Sequence, residues 1–475
     1  MRTALGSPLL VTMVGSSRKW AASMRLPSLS RNSRLPMRVA SIPACYTVYM
    51  TAGKADTARR YRLYPTAGQA ERLTEWGHTC RAVWNIALEQ RQFAWAQRRH
   101  TMRAVEQNLH LTQARSDLDW IADLPAQSAQ QVFINLDRTY DNWWNPNHPA
   151  GVPKRKKRKA SLAVSFPGQA VEMRRLNRHW GAVRLPKIGW VRFRMSRSLG
   201  GTLRNATVTV NGAGTWHVCF GVATGMTVAP PNGLPACGVD FGVACSAYVS
   251  DEDAPRMMAP TLAKGEQARL LGLERRKDRQ LTYAKKHNGG KYSRRLRKTL
   301  TAIASLKSRQ AGRRLDFTHK LTTDLAKNHG RVGIEDLQVK NMTASAKGTN
   351  EEPGINVRVK ARLNRAVLDN IPGERRRQLE YKAPLFGSEL LAVPAPYTSQ
   401  TCSACGVVDK ASRPGCGREF ACTACGHQQH ADKNAALNIE GKARRAAGLN
   451  STRRHTVPSH RESGRRLREP LAGAA

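Results

Sequence analysis

Hydrophobic and polar positions first fall into a clear pattern at RYRLYPT (60–66). Basic and apolar residues alternate there and a proline ends the run, which predicts a short strand closed by a turn. The period then lengthens: over 67–97, Leu73, Trp76, Cys80, Val83 and Ala87 recur at steps of three or four, which predicts an amphipathic helix. A further helix is expected over 123–144, with Pro125 in its first turn and Val132, Leu136, Tyr140 and Trp143 on one face. After a turn-rich linker at 146–153, alternation returns across 161–222 in SLAVSF, GAVRLPKIGWVRFR and NATVTVNGAGTWHVCFGVA, with glycine turns at 189 and 212–214. That stretch predicts a small β-barrel or sandwich. Trp216, His217 and Phe220 could stack on bases, although residues of this kind in a strand pattern more often belong to a core.

PPNG (230–233) marks a boundary. LPACGVDFGVACSAYVS then reads as a buried strand, a turn and a second strand. Two long helices are expected next, broken at HNGGKYS (287–293), and Leu296, Leu300 and Ile303 line one side of the second. RVGIEDL (331–337) is a third apolar strand that ends in acids, 343–358 is a polar loop, and 381–396 is β-like. No internal repeat is visible.

Charge narrows the partners. The 475 residues, enough for two to four domains, carry 78 Lys and Arg against 34 Asp and Glu, a formal charge of +44. Such an excess opposes compaction until a polyanion neutralises it, and it is spread along the chain rather than beside one amphipathic helix. A nucleic acid held along much of the molecule is the expectation. Two runs are candidate phosphate contacts: Lys154, Arg155, Lys156, Lys157, Arg158 and Lys159, and, within a stretch 291–314 that has nine basic and no acidic residues, Arg294, Arg295, Arg297 and Lys298. No run of 18 apolar residues exists, so no membrane partner is expected and the protein is expected in the cytoplasm. The first 55 residues hold eight Lys or Arg and no acid, and read as a basic disordered extension, with Met50 a sensible alternative first residue. The segment after 447 reads likewise as a disordered basic tail.

Four of the ten cysteines form Cys402-x-x-Cys405 and Cys422-x-x-Cys425, each pair followed by a glycine, Gly406 or Gly426. Four thiolates close a tetrahedral shell around zinc and leave no position for a substrate, so one Zn²⁺ is expected in a structural role. Cys416, His427 and His430 are spare candidate ligands, Cys416 being a bystander for want of a CxxC partner. Three acids stand in telling places: Asp240 and Glu335 each end an apolar strand, and Asp432 opens the helix-like run DKNAALNI. Any one of them could be a cap or a turn acid. Together they suggest carboxylates that converge on divalent cations, with two Mg²⁺ ions cutting a phosphodiester.

These residues carry a resemblance. GVDFGVACSA, GIEDLQVKNM and CSACG…CTACGHQQHADKNAALNI closely resemble the split RuvC nuclease of transposon-encoded TnpB proteins and of the compact type V CRISPR effectors. Weaker matches include YRLYPTAGQ, GVPKRKKRKASLAVSF, RLPKIGWVRFR and YTSQTC, and the likeness runs from about 59 to 446. It implies an α/β RNase H-like (RuvC) core with an inserted zinc ribbon, plus an N-terminal β-barrel wedge interrupted by a helical recognition lobe. In that layout 57–66 with 151–232 is the wedge, 67–150 the helical lobe, 233–397 the first two RuvC motifs with a helical insertion, 398–428 the zinc ribbon and 429–446 the third motif; 1–56 and 447–475 flank it. The resemblance also implies that Asp240, Glu335 and Asp432 are the catalytic acids. It further implies that the partners are a guide RNA and a target double-stranded DNA with a short adjacent motif. A guided protein that only binds and represses would be marked by a lost acid, and none is lost. A transposition-associated accessory role is the other alternative, while a strand-rejoining enzyme would need a nucleophile arrangement the sequence does not display. The source of the guide, a transposon-end RNA or a CRISPR array, stays open.

Overall fold

The structure, a computed structural model, describes residues 49–51, 54–146, 148, 150–158, 161–349, 351–413 and 418–448. The two flanking extensions, Cys416 and Lys159 therefore lie outside the described residues, apart from the few flanking positions just named. The chain divides into two compact units, one comprising residues up to 228 with 262–310, the other 229–261 with the chain from 311 onward.

The first unit is organised by one antiparallel sheet. Strands β1 (Tyr49–Thr51), β2 (Lys54–Tyr64), β3 (Leu162–Pro167), β4 (Glu172–Arg175), β5 (Trp180–Leu185), β6 (Gly189–Arg194), β7 (Thr202–Val210) and β8 (Trp216–Thr227) pair in the order β3-β7-β8-β2-β6-β5-β4, with β1 beside β2. Sequence alternation fixes which side faces inward. Tyr61 and Leu63 of β2 are buried, whereas Arg60, Arg62 and Tyr64 point the other way. Tyr61, Phe193 and Phe220 meet with ring centroids 5.4 to 5.8 Å apart. Gly181 is required here, since a Cβ would lie 2.4 Å from the Phe193 ring. Phe220 is fully buried and Trp216 packs against the same core, so both are structural in this sheet.

Helices α1 (Ala67–Arg98), α2 (Ala104–Asp117) and α3 (Ala126–Trp144) connect β2 to β3 and share that core. The sequence TAGQ starts α1 as a capping box: Thr66 accepts from the Gln69 amide and Gln69 accepts from the Thr66 amide. Helix α2 had no counterpart in the hydrophobic pattern, because much of its buried side is small or polar: Ala104, Gln107, Leu111 and Ala114. Gln107 is satisfied by the buried Arg91 guanidinium, which also pairs with Asp137 at 2.6 Å.

Helices α4 (Lys264–His287) and α5 (Arg294–Asn328) are the two long helices, parted at the Gly-bearing break. In the second unit, β9 (Ala236–Asp240), β10 (Tyr248–Val249), β11 (Arg331–Glu335) and β12 (Glu389–Val393) pair in the order β10-β9-β11-β12. β9, β11 and β12 run parallel, and β10 is antiparallel to β9. Helices α6 (Val357–Asp369) and α7 (Pro372–Leu385) precede β12, so 381–385 is helical and only 389–393 is strand. α7 buries Arg375, Gln378, Leu379, Lys382 and Ala383, a face polar enough to hide its helical period. The ribbon hairpin β13 (Glu419–Ala421) and β14 (Gln428–His430) leads directly into α8 (Ala431–Ala446). No helix among the described residues is long and apolar enough to cross a membrane.

Candidate active site

Parallel register sets two of the acids side by side. Val332 pairs with Cys237 and Ile334 with Val239, so Glu335 and Asp240 stand at the next step, at the C-terminal ends of adjacent strands. Ligands collect at that edge of an open parallel sheet. The third acid is brought by α8, whose close approach depends on two glycines. A Cβ at Gly238 would lie 2.1 Å from the Ala436 carbonyl oxygen, and one at Gly333 2.8 Å from the Ala443 methyl. The small residues of both strands and helix therefore let α8 lie on β9 and β11, and Asp432 falls in its first turn, where the helix dipole favours a carboxylate.

The electrostatics follow from this crowding. Asp240 holds its proton up to about pH 7, first because burial strips water from the carboxyl, then because Glu335 and Asp432 repel its charge; Arg413 opposes both. Glu335 is pushed up as well, by desolvation, against the hydroxyl it accepts from Thr398 and the charge of Lys442. Arg413 lies 3.9 Å from the Asp432 carboxylate. A cation would relieve a buried Asp240 whose ionisation is opposed by desolvation and by the charges of Glu335 and Asp432, and an all-oxygen donor set suits a hard one such as Mg²⁺. The three carboxylates are gathered within electrostatic reach but do not form a group with ligand atoms mutually within 4.8 Å.

The four ribbon cysteines do form such a group. The Cys402 and Cys425 sulfurs are 3.7 Å apart and those of Cys405 and Cys422 3.6 Å, far beyond a disulfide and close to the roughly 3.8 Å edge of a tetrahedron with ~2.3 Å Zn–S bonds. Backbone amides of Cys425 and Ala424 act on the Cys422 sulfur and lower its proton affinity, which favours a thiolate there. The donor set thus fits zinc, with no site left open. His427 is not part of this group, and its Nε2 is buried without a partner. His430 instead joins Cys245 and Asp432. Two asparagines fasten the ribbon to α8. Asn434, fully buried, accepts from the Ser403 amide and donates to the Thr401 carbonyl, and Asn438 donates to the carbonyls of Thr398 and Thr401.

The basic runs are placed unequally. The backbone of 154–158 is pinned along α1 by Trp84, Asn85 and Arg81. Lys156 is committed to the Trp84 ring, 3.8 Å from its centroid, and Arg155 faces Glu89, while Lys154, Lys157 and Arg158 stay exposed. Arg294, Arg295, Arg297 and Lys298 are all exposed on the first turns of α5. Sequence reasoning missed a third basic surface, on the outer side of the antiparallel sheet. Arg192 and Arg194 flank the Trp180 ring at 5.9 and 5.5 Å, Arg62 lies over Tyr64, and Arg174 lies 4.2 Å over Trp190. Its signal was available in the alternation of RYRLY and WVRFR, which puts arginine and aromatic residues together on one side.

Comparison with known proteins places this geometry. Three family models match, described as "Cas12f1-like, TNB domain" over 373–439, "Helix-turn-helix domain" over 55–100 and "Probable transposase" over 218–346. A protein of Escherichia coli (strain K12) named "Putative RNA-guided DNA endonuclease InsQ" is 33% identical over 385 residues, covering 80% of this chain and 91% of its own length. The chain belongs to the TnpB-type family of RNA-guided nucleases. A Streptomyces pristinaespiralis protein of the same description is 30% identical across 80% of this chain and 88% of its own. Among solved structures, the cryo-EM structure of a Cas12f1–sgRNA–target DNA complex aligns over 82% of this chain and 99% of that chain, at 12% identity and a TM-score of 0.40. In this TnpB-type chain, the stretch matched as helix-turn-helix is one strand followed by a single unbroken helix, α1.

Proposed function

We propose that the protein is an RNA-guided DNA endonuclease in which a guide RNA selects target DNA beside a short adjacent motif and one RuvC-type site cuts it. Family membership supports the activity, and the formal charge of +44 supports a nucleic acid held along much of the chain. The observation that carries the active-site assignment is the placement of Asp240 and Glu335 at the ends of adjacent parallel strands, with Asp432 near enough that, after burial itself, the charges of Glu335 and Asp432 raise the proton affinity of Asp240. Asp240, Glu335 and Asp432 would hold catalytic Mg²⁺, and Cys402, Cys405, Cys422 and Cys425 a structural Zn²⁺. A pair of Mg²⁺ ions supplies Lewis-acid activation of the attacking water and charge neutralisation at the leaving 3′ oxygen. The chain's part is to fix the three carboxylates: Asp240 and Glu335 by strand register, Asp432 by the first turn of α8, and Glu335 further by the Thr398 hydroxyl. Arg413 sits where it can partner Asp432 or a phosphate oxygen. The exposed basic residues of α5 and of the outer sheet surface are the proposed guide and target contacts, stacking and charge acting together.

The test is Asp240→Ala in the guide-loaded protein, with cleavage and DNA binding measured side by side. Cleavage is expected to be abolished while RNA-dependent DNA binding persists. If the variant still cuts, the catalytic assignment is wrong. The description "Probable transposase" favours a second reading, an accessory role in transposition, and it would be supported if guided DNA is bound but neither wild type nor variant cuts.

A further inference from the structure

Among the described residues, a second group of potential metal ligands has its atoms mutually within 4.8 Å: Cys245, His430 and Asp432. Neither the ribbon nor the three acids account for it. Cys245 lies in the segment between β9 and β10, His430 ends β14 and Asp432 opens α8, so three separate elements deliver one ligand each. The Cys245 side chain is buried, with its sulfur within 4.8 Å of an Asp432 carboxylate oxygen. His430 accepts the Asp432 amide at Nδ1, 3.1 Å away, so a lone pair rather than an N–H is turned toward Asp432. The Tyr248 ring, 5.1 Å from the imidazole, limits its tilt.

Donor chemistry separates this group from the Mg²⁺ site it adjoins. A thiolate and an imidazole favour Zn²⁺ and similar borderline-soft ions and offer little to Mg²⁺, which prefers oxygen. Three protein ligands also leave a fourth tetrahedral position open to water. We propose that Cys245, His430 and Asp432 form an inhibitory metal site that takes Zn²⁺ in preference to Mg²⁺ and, by engaging Asp432, withholds that carboxylate from catalytic Mg²⁺. The inhibition rests on the reading of Asp432 as a catalytic acid; the binding does not. On loading, the Cys245 thiol gives its proton to solvent, His430 exchanges the Asp432 amide for the metal, and Arg413 yields its place beside Asp432 to the cation.

The experiment uses the full chain with its ribbon zinc in place and adds Zn²⁺, or Co²⁺ as an optical probe. Wild type, Cys245→Ser and His430→Asn are compared, the last chosen because an asparagine oxygen can still cap α8. Metal content after desalting should be two equivalents in wild type and one in each variant, and the second Co²⁺ equivalent should show thiolate charge-transfer absorption only in wild type. In cleavage assays Zn²⁺ should inhibit wild type and be relieved by raising Mg²⁺, with at least tenfold more Zn²⁺ needed to inhibit the variants. A single equivalent in wild type, or a second equivalent kept by both variants, overturns the proposal. Should wild type take the second equivalent yet never cut guided DNA in Mg²⁺ alone, the metal site stands and the nuclease reading falls.

Discussion

Titrating the Mg²⁺-free protein probes the electrostatics of the proposed site without reference to cleavage. Asp240 releases its proton near pH 7 in the folded chain, against an ordinary 3.8, with desolvation the largest cause and the charges of Glu335 and Asp432 next. In the unfolded chain the carboxyl is hydrated and ordinary. Between about pH 4 and pH 7 the folded state thus keeps a proton that the unfolded state has lost, so stability from this group is intact below pH ~4 and falls as pH rises through 7. At about 1.4 kcal/mol per tenfold in proton affinity, the rise is worth about 4 kcal/mol at most. Glu335 moves in the same direction and adds to the decline.

Asp240→Asn removes that charge at every pH with little change of shape. In buffer freed of Mg²⁺ but not of zinc, the variant should melt close to wild type near pH 4.5 and later than wild type at pH 8. With ~2–4 °C expected per kcal/mol for a unit of this size, the gap at pH 8 should approach 10 °C. Adding Mg²⁺ at pH 8 should raise the wild-type midpoint more than the variant's and narrow the gap. Calorimetry across pH 4.5–8 reads all of this. A gap that does not change with pH, or a variant less stable than wild type at pH 8, would refute the claim that three carboxylates are crowded together there.

Three further outcomes concern the ribbon and the basic surfaces. Cys402→Ser combined with Cys405→Ser should cost one equivalent of zinc by elemental analysis, lower the melting midpoint and weaken DNA loading; a zinc-free double variant that stays folded and fully active would show the ribbon to be dispensable. Arg192→Ala with Arg194→Ala should weaken binding of single-stranded RNA and flatten the dependence of log Kd on log salt by about 1.4, from ~0.7 per lost phosphate contact; Lys156→Ala, already engaged with Trp84, should leave the slope unchanged.

Where burial was apolar, the elements could be seen in the sequence. β9 and β11 read as strands because Cys237, Val239, Val332 and Ile334 are all buried, and α1 because Leu73, Trp76, Cys80, Val83 and Ala87 share one face. Where polar side chains were buried with partners, the pattern failed: Gln107 on Arg91 hid α2, and Arg375, Gln378 and Lys382 hid α7. Candidate ligands divided along the same line. Paired CxxC spacing announces itself locally, whereas Cys245 gave no signal, since its proximity to Asp432 comes from α8 crossing β9 and not from any local spacing.

The ribbon and the proposed active site are separate in chemistry but share a scaffold. Asn434, two residues beyond Asp432, holds Thr401 and Ser403, which flank Cys402; Asn438, one turn further on, holds Thr398 and Thr401. Thr398 in turn donates to Glu335. One short segment, 398–403, therefore touches a zinc ligand, the helix that carries one acid and the side chain of another. On the proposed reading, a zinc ion with no open position would govern catalysis by this route, because a loosened ribbon would release Thr398 from Glu335 and Asn434 from its partners. Each buried hydrogen-bonding group left unpaired costs about 1–3 kcal/mol, so the positions of Glu335 and Asp432 would depend on the proposed ribbon zinc, which neither of them touches.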